Sequence, residues 1–433
     1  MLRFPDARRT VIETVRRAVK PAAESTPIDE AAGRVLAEAI VADRDYPPFH
    51  RATRDGYAVR AADVAVPPAT LAVIGEVRAG AVYGGVVQPG QCVSIMTGAP
   101  VPEGADAVVM LEHTQPAGGE RSEQRRDQCR DRDEAVGNST TGTTSVVILR
   151  AVAPGDNVVP RGSEAAAGSR VLHPGRRLGY AEVAMLASVG RRDVPVFRRP
   201  AVAILPTGDE VVDLDREPAG FQIRNSNSYS LRVQTAAAGG LPRPLPIAPD
   251  EPGRLRELIE EGLGSDLLLL SGGVSMGKYD LVEEVLRELG AEFYFDAVAI
   301  QPGKPLVFGR ARGTFFFGLP GNPLSTMVTF ELFARPAIEL LAGIADPPLV
   351  FLQARLAHDV RHKPGLTRFL PAVLSPAADV GGSIADYTAT VRLAGWQGSG
   401  DIAALTRANC YLVVPEDREE LRAGEMVSVL PRG

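Results

Sequence analysis

The densest chemistry in the sequence is the stretch SGGVSMGKYD at 271–280. It follows DLLLL (266–270), a wholly apolar run of the kind that forms a parallel strand covered on both faces. In an open α/β sheet, ligands bind beyond the carboxyl ends of the strands. Gly272, Gly273 and Gly277 let the backbone turn tightly and expose N–H groups, and a helix predicted over 280–289 offers its positive N-terminal end. Ser271 and Ser275 add hydroxyl donors. Together these suit a phosphate or pyrophosphate, although a G-G dipeptide alone also fits a plain strand-to-helix turn. Asp280, in the first turn of that helix, either complements the helix dipole or holds Mg²⁺ against the phosphates.

Two further loops end strands of the same sheet. LPTGDE (205–210) follows AVAIL, and LPGNP (319–323) follows TFFF. In the second, Pro320 and Gly321 form the turn, Asn322 stands at a helix cap and Pro323 at the first helical position. Three glycine-containing loops on three strand ends can line one crevice. IQPGKP (300–305) puts Lys304 between two prolines, either as a solvated loop lysine or as an ammonium aimed at an oxyanion. The remaining carboxylates of interest are Asp55, Glu164, Asp209, Glu210, Asp250 and Asp280. Carboxylates beside a phosphate repel it unless a divalent metal bridges them, so such a cluster implies Mg²⁺. His358 and His362 lack a third ligand and a helix to align them, and carry no metal expectation.

The elements that must position these groups fall into blocks. Residues 6–20 place Val11, Val15 and Val19 at helical spacing. Residues 30–40 are expected to form a second helix or a turn leading into a strand, and YPPFHR (46–51) is expected to be a linker, because Pro47 and Pro48 break a helix. From 56 to 112, short apolar runs alternate with Gly and Pro, predicting a small β-domain. Residues 117–145 are rich in charge, Gly and Thr and poor in large apolar residues, predicting a mobile, dispensable insert. From 201 the text alternates strand and helix, predicting a doubly wound α/β domain with helices near 227–238, 252–263 and 323–342. The last stretch predicts a small β-barrel.

Bulk properties limit the function. The 433 residues carry a formal net charge of −6, with 45% apolar and 23% charged residues. That balance excludes a chain held to nucleic acid or an anionic membrane by bulk charge. Three cysteines, far apart and without a C-x-x-C, suit a reducing compartment rather than a disulfide or zinc framework. Residues 1–20 lack the apolar core of a signal peptide, and a cytoplasmic protein is the expectation.

PPFHRATRDGYAVR, VSIMTGAPVPEGADAVVM, PTGDE, SGGVSMGKYD, QPGKP and LPGNPLSTMVTFE occur in one order. In that order they resemble the molybdopterin molybdotransferases, the bacterial MoeA proteins and the E-domain of gephyrin. The resemblance runs from about residue 10 to the C-terminus, interrupted by the insert. It implies insertion of molybdate into adenylylated molybdopterin, with Mg²⁺-dependent release of AMP. It implies that Asp55 and Thr97 face the nucleotide crevice from β-domain loops, while Glu210, Asp250 and Asp280 line it from the α/β domain, with all three carboxylates as metal ligands. It also implies four regions: an elongated one from 1–45 and 163–197, a β-domain 46–162, a molybdopterin-binding domain 198–345 and a barrel 346–433. A homodimer with composite sites and transient contact with other cofactor-biosynthesis proteins are further implications.

The sequence departs from the family pattern in places. His50 stands where Asp is usual, and Thr53-Arg54 replaces Ala-Met. Gly162-Ser163-Glu164 replaces G-x-D, Val159 stands where Arg is common, and Gln301 where Lys is common. Two fewer cations are expected to weaken oxyanion binding. The rival readings are a molybdopterin adenylyltransferase, which leaves residues 1–195 and 346–433 unexplained, and a non-catalytic scaffold, which does not require the carboxylates.

Overall fold

A computed structural model describes residues 1–117, 144–273, 281–376 and 388–432. The chain packs as two compact units. One comprises Met1–Glu38, Pro174–Ala184 and Arg192–Gly433, and the other Ala39–His173 and Met185–Arg191.

The first unit is built on a six-stranded sheet in the order Leu241–Pro244, Ala201–Pro206, Leu267–Ser271, Thr314–Leu319, Pro305–Ala311, Glu292–Ala297. The first four strands are parallel, and Pro305–Ala311 alone runs against the rest, pairing antiparallel with both its neighbours. Side chains alternate between the sheet's faces, and both faces are covered. Leu267 and Leu269 pack with Val202, Ile204, Phe315 and Phe317 in one layer, beneath the helices Phe4–Ala18 and Ser226–Ala237. Leu268 and Leu270 pack with Ala203, Leu205 and Phe316 in the other, beneath Pro252–Gly262 and Leu281–Glu288. That double burial is why the run of four leucines is a strand although leucine favours helices.

Register does the positioning. Pro206 pairs with Ser271, and Ser271 with Leu319, so three strands end at one level. The loops PTGDE, SGG and PGNP therefore emerge side by side. Helix formation resumes at Pro323 and runs to Leu341 through a π-helical turn at Phe330–Ala334. The C-terminal strands close into a five-stranded barrel, because Thr367–Ser375 pairs with Thr390–Leu393 on one side and with Cys410–Val414 on the other.

The second unit carries a six-stranded sheet in the order Ala107–Met110, Gly56–Val59, Gln91–Ile95, Ala69–Val77, Ser145–Ile148, Thr114–Pro116. One local expectation differs, and one resolves between its two alternatives. Within the expected linker 46–51, Arg51 continues into a short strand, Arg51–Ala52, that pairs with Val158–Val159. Of the two alternatives for residues 30–40, the turn leading into a strand is the one that forms, from the 3-10 turn Ile28–Glu30 to the strand Ile40–Val41. Gly33 turns with φ +77, and Val35 and Leu36 instead exchange backbone hydrogen bonds with Phe197 and Arg176. The 117–145 insert lies almost wholly outside the described residues, as do Ser275, Gly277 and Asp280.

Candidate active site

The three aligned loops enclose a crevice of about 370 Å³. Ser271, Gly272 and Gly273 form one wall, Pro320, Gly321, Asn322 and Pro323 another, and Thr207, Glu210 and Asn227 also line it. Gly272 and Gly273 have φ of +97 and +64, two successive left-handed residues directly after the strand, a conformation that favours glycine. A Cβ at Gly272 would lie 2.8 Å from the Thr207 carbonyl oxygen, and one at Gly273 would lie 2.8 Å from Thr207 Oγ1. The two glycines thus let the turn pack closely against Thr207, and the Gly272 N–H donates to the Leu319 carbonyl at 3.2 Å, tying the turn to the neighbouring strand end.

Asn227 joins two of the loops. Its Nδ2 donates to Ser271 Oγ at 2.9 Å and to the Gly321 carbonyl at 2.8 Å. A carbonyl only accepts, so Gly321 fixes which end of the amide faces it. Ser271, 4% exposed, accepts from Asn227 and keeps its own hydrogen to donate. Asn322 is the N-terminal cap residue of the 323–329 helix, but its side chain makes no capping bond. Pro323 follows within the first turn, as expected.

Among the described residues, Glu210 is the one carboxylate lining the crevice. Asp250 is held beside the same loop, its N–H donating to Asp209 Oδ1 at 3.0 Å. No cluster of three His, Cys, Asp or Glu that could hold a metal occurs among the described residues. Mg²⁺ is often held by one or two carboxylates together with substrate phosphates, and Glu210 fits that kind of site as a single protein ligand.

Lys304 is exposed, at the end of a loop that opens with Gln301–Pro302 and turns at Gly303, φ +101. Ile300–Gln301 pairs in parallel with the start of the barrel strand, placing Arg368 opposite Gln301. Arg368 donates to the Lys363 carbonyl at 2.8 Å, its Nε has no partner among the described residues, and burial pulls its pKa below the usual arginine value. The barrel also reaches the crevice helix, where Leu324 N–H donates to the Ser399 carbonyl at 3.0 Å.

In the second unit, Asp55 and Thr97 are brought together. Gly56 pairs with Ile95, so both residues flank the same strand end. Asp55 Oδ1 accepts from Thr97 N–H at 2.6 Å and from its hydroxyl at 2.9 Å. The backbone N–H and then the hydroxyl hold the Asp55 carboxyl below its ordinary pKa. Glu164 forms a 2.8 Å ion pair with Arg51, which stands opposite Val159 in the short strand pair. Val159 and Gln301 therefore each stand opposite an arginine across a strand pair.

Thr207, Asn227 and Arg368 were not singled out as site residues from the sequence. Asn227 lies in what reads as an ordinary helix start and Arg368 in what reads as a barrel strand; only their pairing partners reveal them.

Family profiles match nearly the whole chain. The MoeA N-terminal region (domains I and II) matches residues 2–190, a "probable molybdopterin binding domain" matches 203–340, and the MoeA C-terminal region (domain IV) matches 353–431. The crevice lies within the second. Molybdopterin molybdenumtransferase of Bacillus subtilis is 33% identical over 94% of this chain and 89% of its own length. Molybdopterin molybdenumtransferase 2 of Mycobacterium tuberculosis is 32% identical over 99% of both. A crystal structure of the molybdopterin biosynthesis MoeA protein from Pyrococcus horikoshii, 30% identical, superposes with a TM-score of 0.78 and full coverage of both chains. The chain belongs to the MoeA family.

Proposed function

We propose that this chain is a molybdopterin molybdenumtransferase. It acts in molybdenum cofactor biosynthesis, inserting molybdate into adenylylated molybdopterin with release of AMP. The observation that carries the reading is the crevice, where three strand ends at one level bring the Ser271 hydroxyl and the glycine-containing loops at 272–273 and 321 together. In this account the Gly272–Gly273 turn and the Ser271 hydroxyl bind the pyrophosphate. Glu210 would hold Mg²⁺ against the same phosphates, and the ion supplies charge neutralisation there. Asp250, held beside the same loop, adds to that acidic side, and the role of Asp280, outside the described residues, rests on the resemblance alone. Lys304, with Arg368 from the barrel, attracts molybdate.

The account makes the protein a cytoplasmic homodimer in which Asp55 and Thr97 of a second copy cover the crevice. Supporting this, exposed apolar side chains stand at or beside the crevice wall, with Phe221 76% and Ile223 56% exposed. No helix among the described residues is long and apolar enough to cross a membrane.

The test is incubation with adenylylated molybdopterin, Mg²⁺ and molybdate, followed by addition of a molybdenum-free acceptor enzyme. The acceptor gains activity if the proposal holds and stays inactive if it fails. Asp55→Ala and Glu210→Ala parents, each nearly inactive, test the composite site. Refolded together at random, they recover about a quarter of wild-type activity, since half the dimers carry one intact site of two. A mixture as inactive as its parents overturns the shared site.

A further inference from the structure

Thr207 is the least explained polar side chain of the crevice. Its residue surface is 3% exposed, and its Oγ1 is buried with no hydrogen-bond partner among the described residues. A buried hydroxyl without a partner lowers stability, and valine would fill the same volume without that cost. Thr207 is nevertheless positioned firmly. Its N–H donates to the Ser271 carbonyl at 3.0 Å, and a side chain on Gly273 would meet its Oγ1 at 2.8 Å. The hydroxyl thus lies against the glycine turn, one residue beyond the strand position that pairs with Ser271. Ser271 also has a hydrogen free to donate, because Asn227 occupies its acceptor side.

We infer that Thr207 is a ligand-binding residue, its hydroxyl donating to a phosphoryl oxygen seated on the Gly272–Gly273 turn beside the Ser271 hydroxyl. This rests on the crevice being the substrate site. A phosphoryl oxygen, with several lone pairs and a negative charge, can accept from both hydroxyls at once. It can come from the pterin's phosphate or from AMP.

Calorimetric binding of AMP, molybdopterin and adenylylated molybdopterin to wild type, Thr207→Val and Thr207→Ser separates the cases. The valine variant melts no earlier than wild type, yet binds at least one of the three roughly tenfold or more weakly, and the serine variant restores binding. The ligand affected identifies which phosphate sits on the turn. If wild type binds but valine stays within about twofold for all three, the assignment of Thr207 is overturned while the crevice reading stands. Equal loss in valine and serine also overturns it, since shape rather than the hydroxyl would matter. Absence of any binding by wild type overturns the crevice reading and this inference with it.

Discussion

Replacing Asn227 with aspartate separates the stability of the crevice from its chemistry. The side chain keeps its shape, but the group that donated to both Ser271 Oγ and the Gly321 carbonyl becomes an acceptor. Gly321 loses its donor. Its residue is exposed, so water restores part of the loss, and the cost falls at the low end of the usual range, about 1 kcal/mol. For a domain of roughly 150–250 residues that lowers the melting temperature by about 2–4 °C. Ser271 can still bond the new carboxylate, but only by turning its hydrogen toward it. That removes the hydrogen from the ligand and adds a negative charge beside a phosphate. One lost charge-assisted bond, at about 1.5–3 kcal/mol, weakens ligand binding roughly 10- to 150-fold before repulsion is counted. Scanning fluorimetry and calorimetry with AMP and adenylylated molybdopterin measure the two effects. A variant that melts several degrees lower yet binds both ligands as wild type does would show that Asn227 only ties two loops together.

Other perturbations bear on separate parts of the account. Gly303→Ala forces a Cβ to within 2.4 Å of Thr329 Cγ2 at φ +101, and should cost about 2–3 kcal/mol, visible as a fall in melting temperature. Gln301→Lys, restoring a cation beside Lys304, should lower the molybdate concentration for half-maximal AMP release; no change or a rise would show that Arg368 already fills the role. Asp55→Asn keeps an oxygen for both Thr97 donors but loses the charge. Because the Asp55 pKa is depressed in the fold, its stabilisation is complete above about pH 4 and is lost as pH falls through the folded value. The variant should therefore show a flatter acid limb of melting temperature below about pH 4 than wild type, by less than about 1 kcal/mol at this exposed site. The insert leaves and re-enters on paired strands, Pro116 opposite Val146. Replacing 118–143 with a short Asn-Gly link should raise stability by about 1–2 kcal/mol from loop closure and leave AMP release unchanged; a lower melting temperature would mean the segment is packed.

Much of the α/β unit was legible because its signals are local. Four leucines in a row ending in Ser-Gly-Gly announce a strand and a tight turn within a few residues. Asn322-Pro323 likewise announces a helix start. What was not legible depends on register and distance along the chain. That Pro206, Ser271 and Leu319 finish level follows from pairing among three separated strands. Asn227 acquires its role from a carbonyl 94 residues away. Arg368 stands beside the Lys304 loop only because the barrel strand continues onto Ile300–Gln301. Residues 30–40 show a choice that local text leaves open: alanine-rich sequence allows a helix or a turn leading into a strand, and long-range backbone pairing with 176 and 197 selects the turn and strand.

AMP release from adenylylated molybdopterin, followed as molybdate is titrated in the presence of Mg²⁺, tests the central claim most directly. The account predicts release that rises and saturates with molybdate, matched mole for mole by cofactor able to activate a molybdenum-free enzyme. It also predicts that Ser271→Ala needs more of the adenylylated substrate to reach the same rate. AMP release no faster than without the protein, at any molybdate concentration, would contradict it, as would AMP released with no molybdenum transferred.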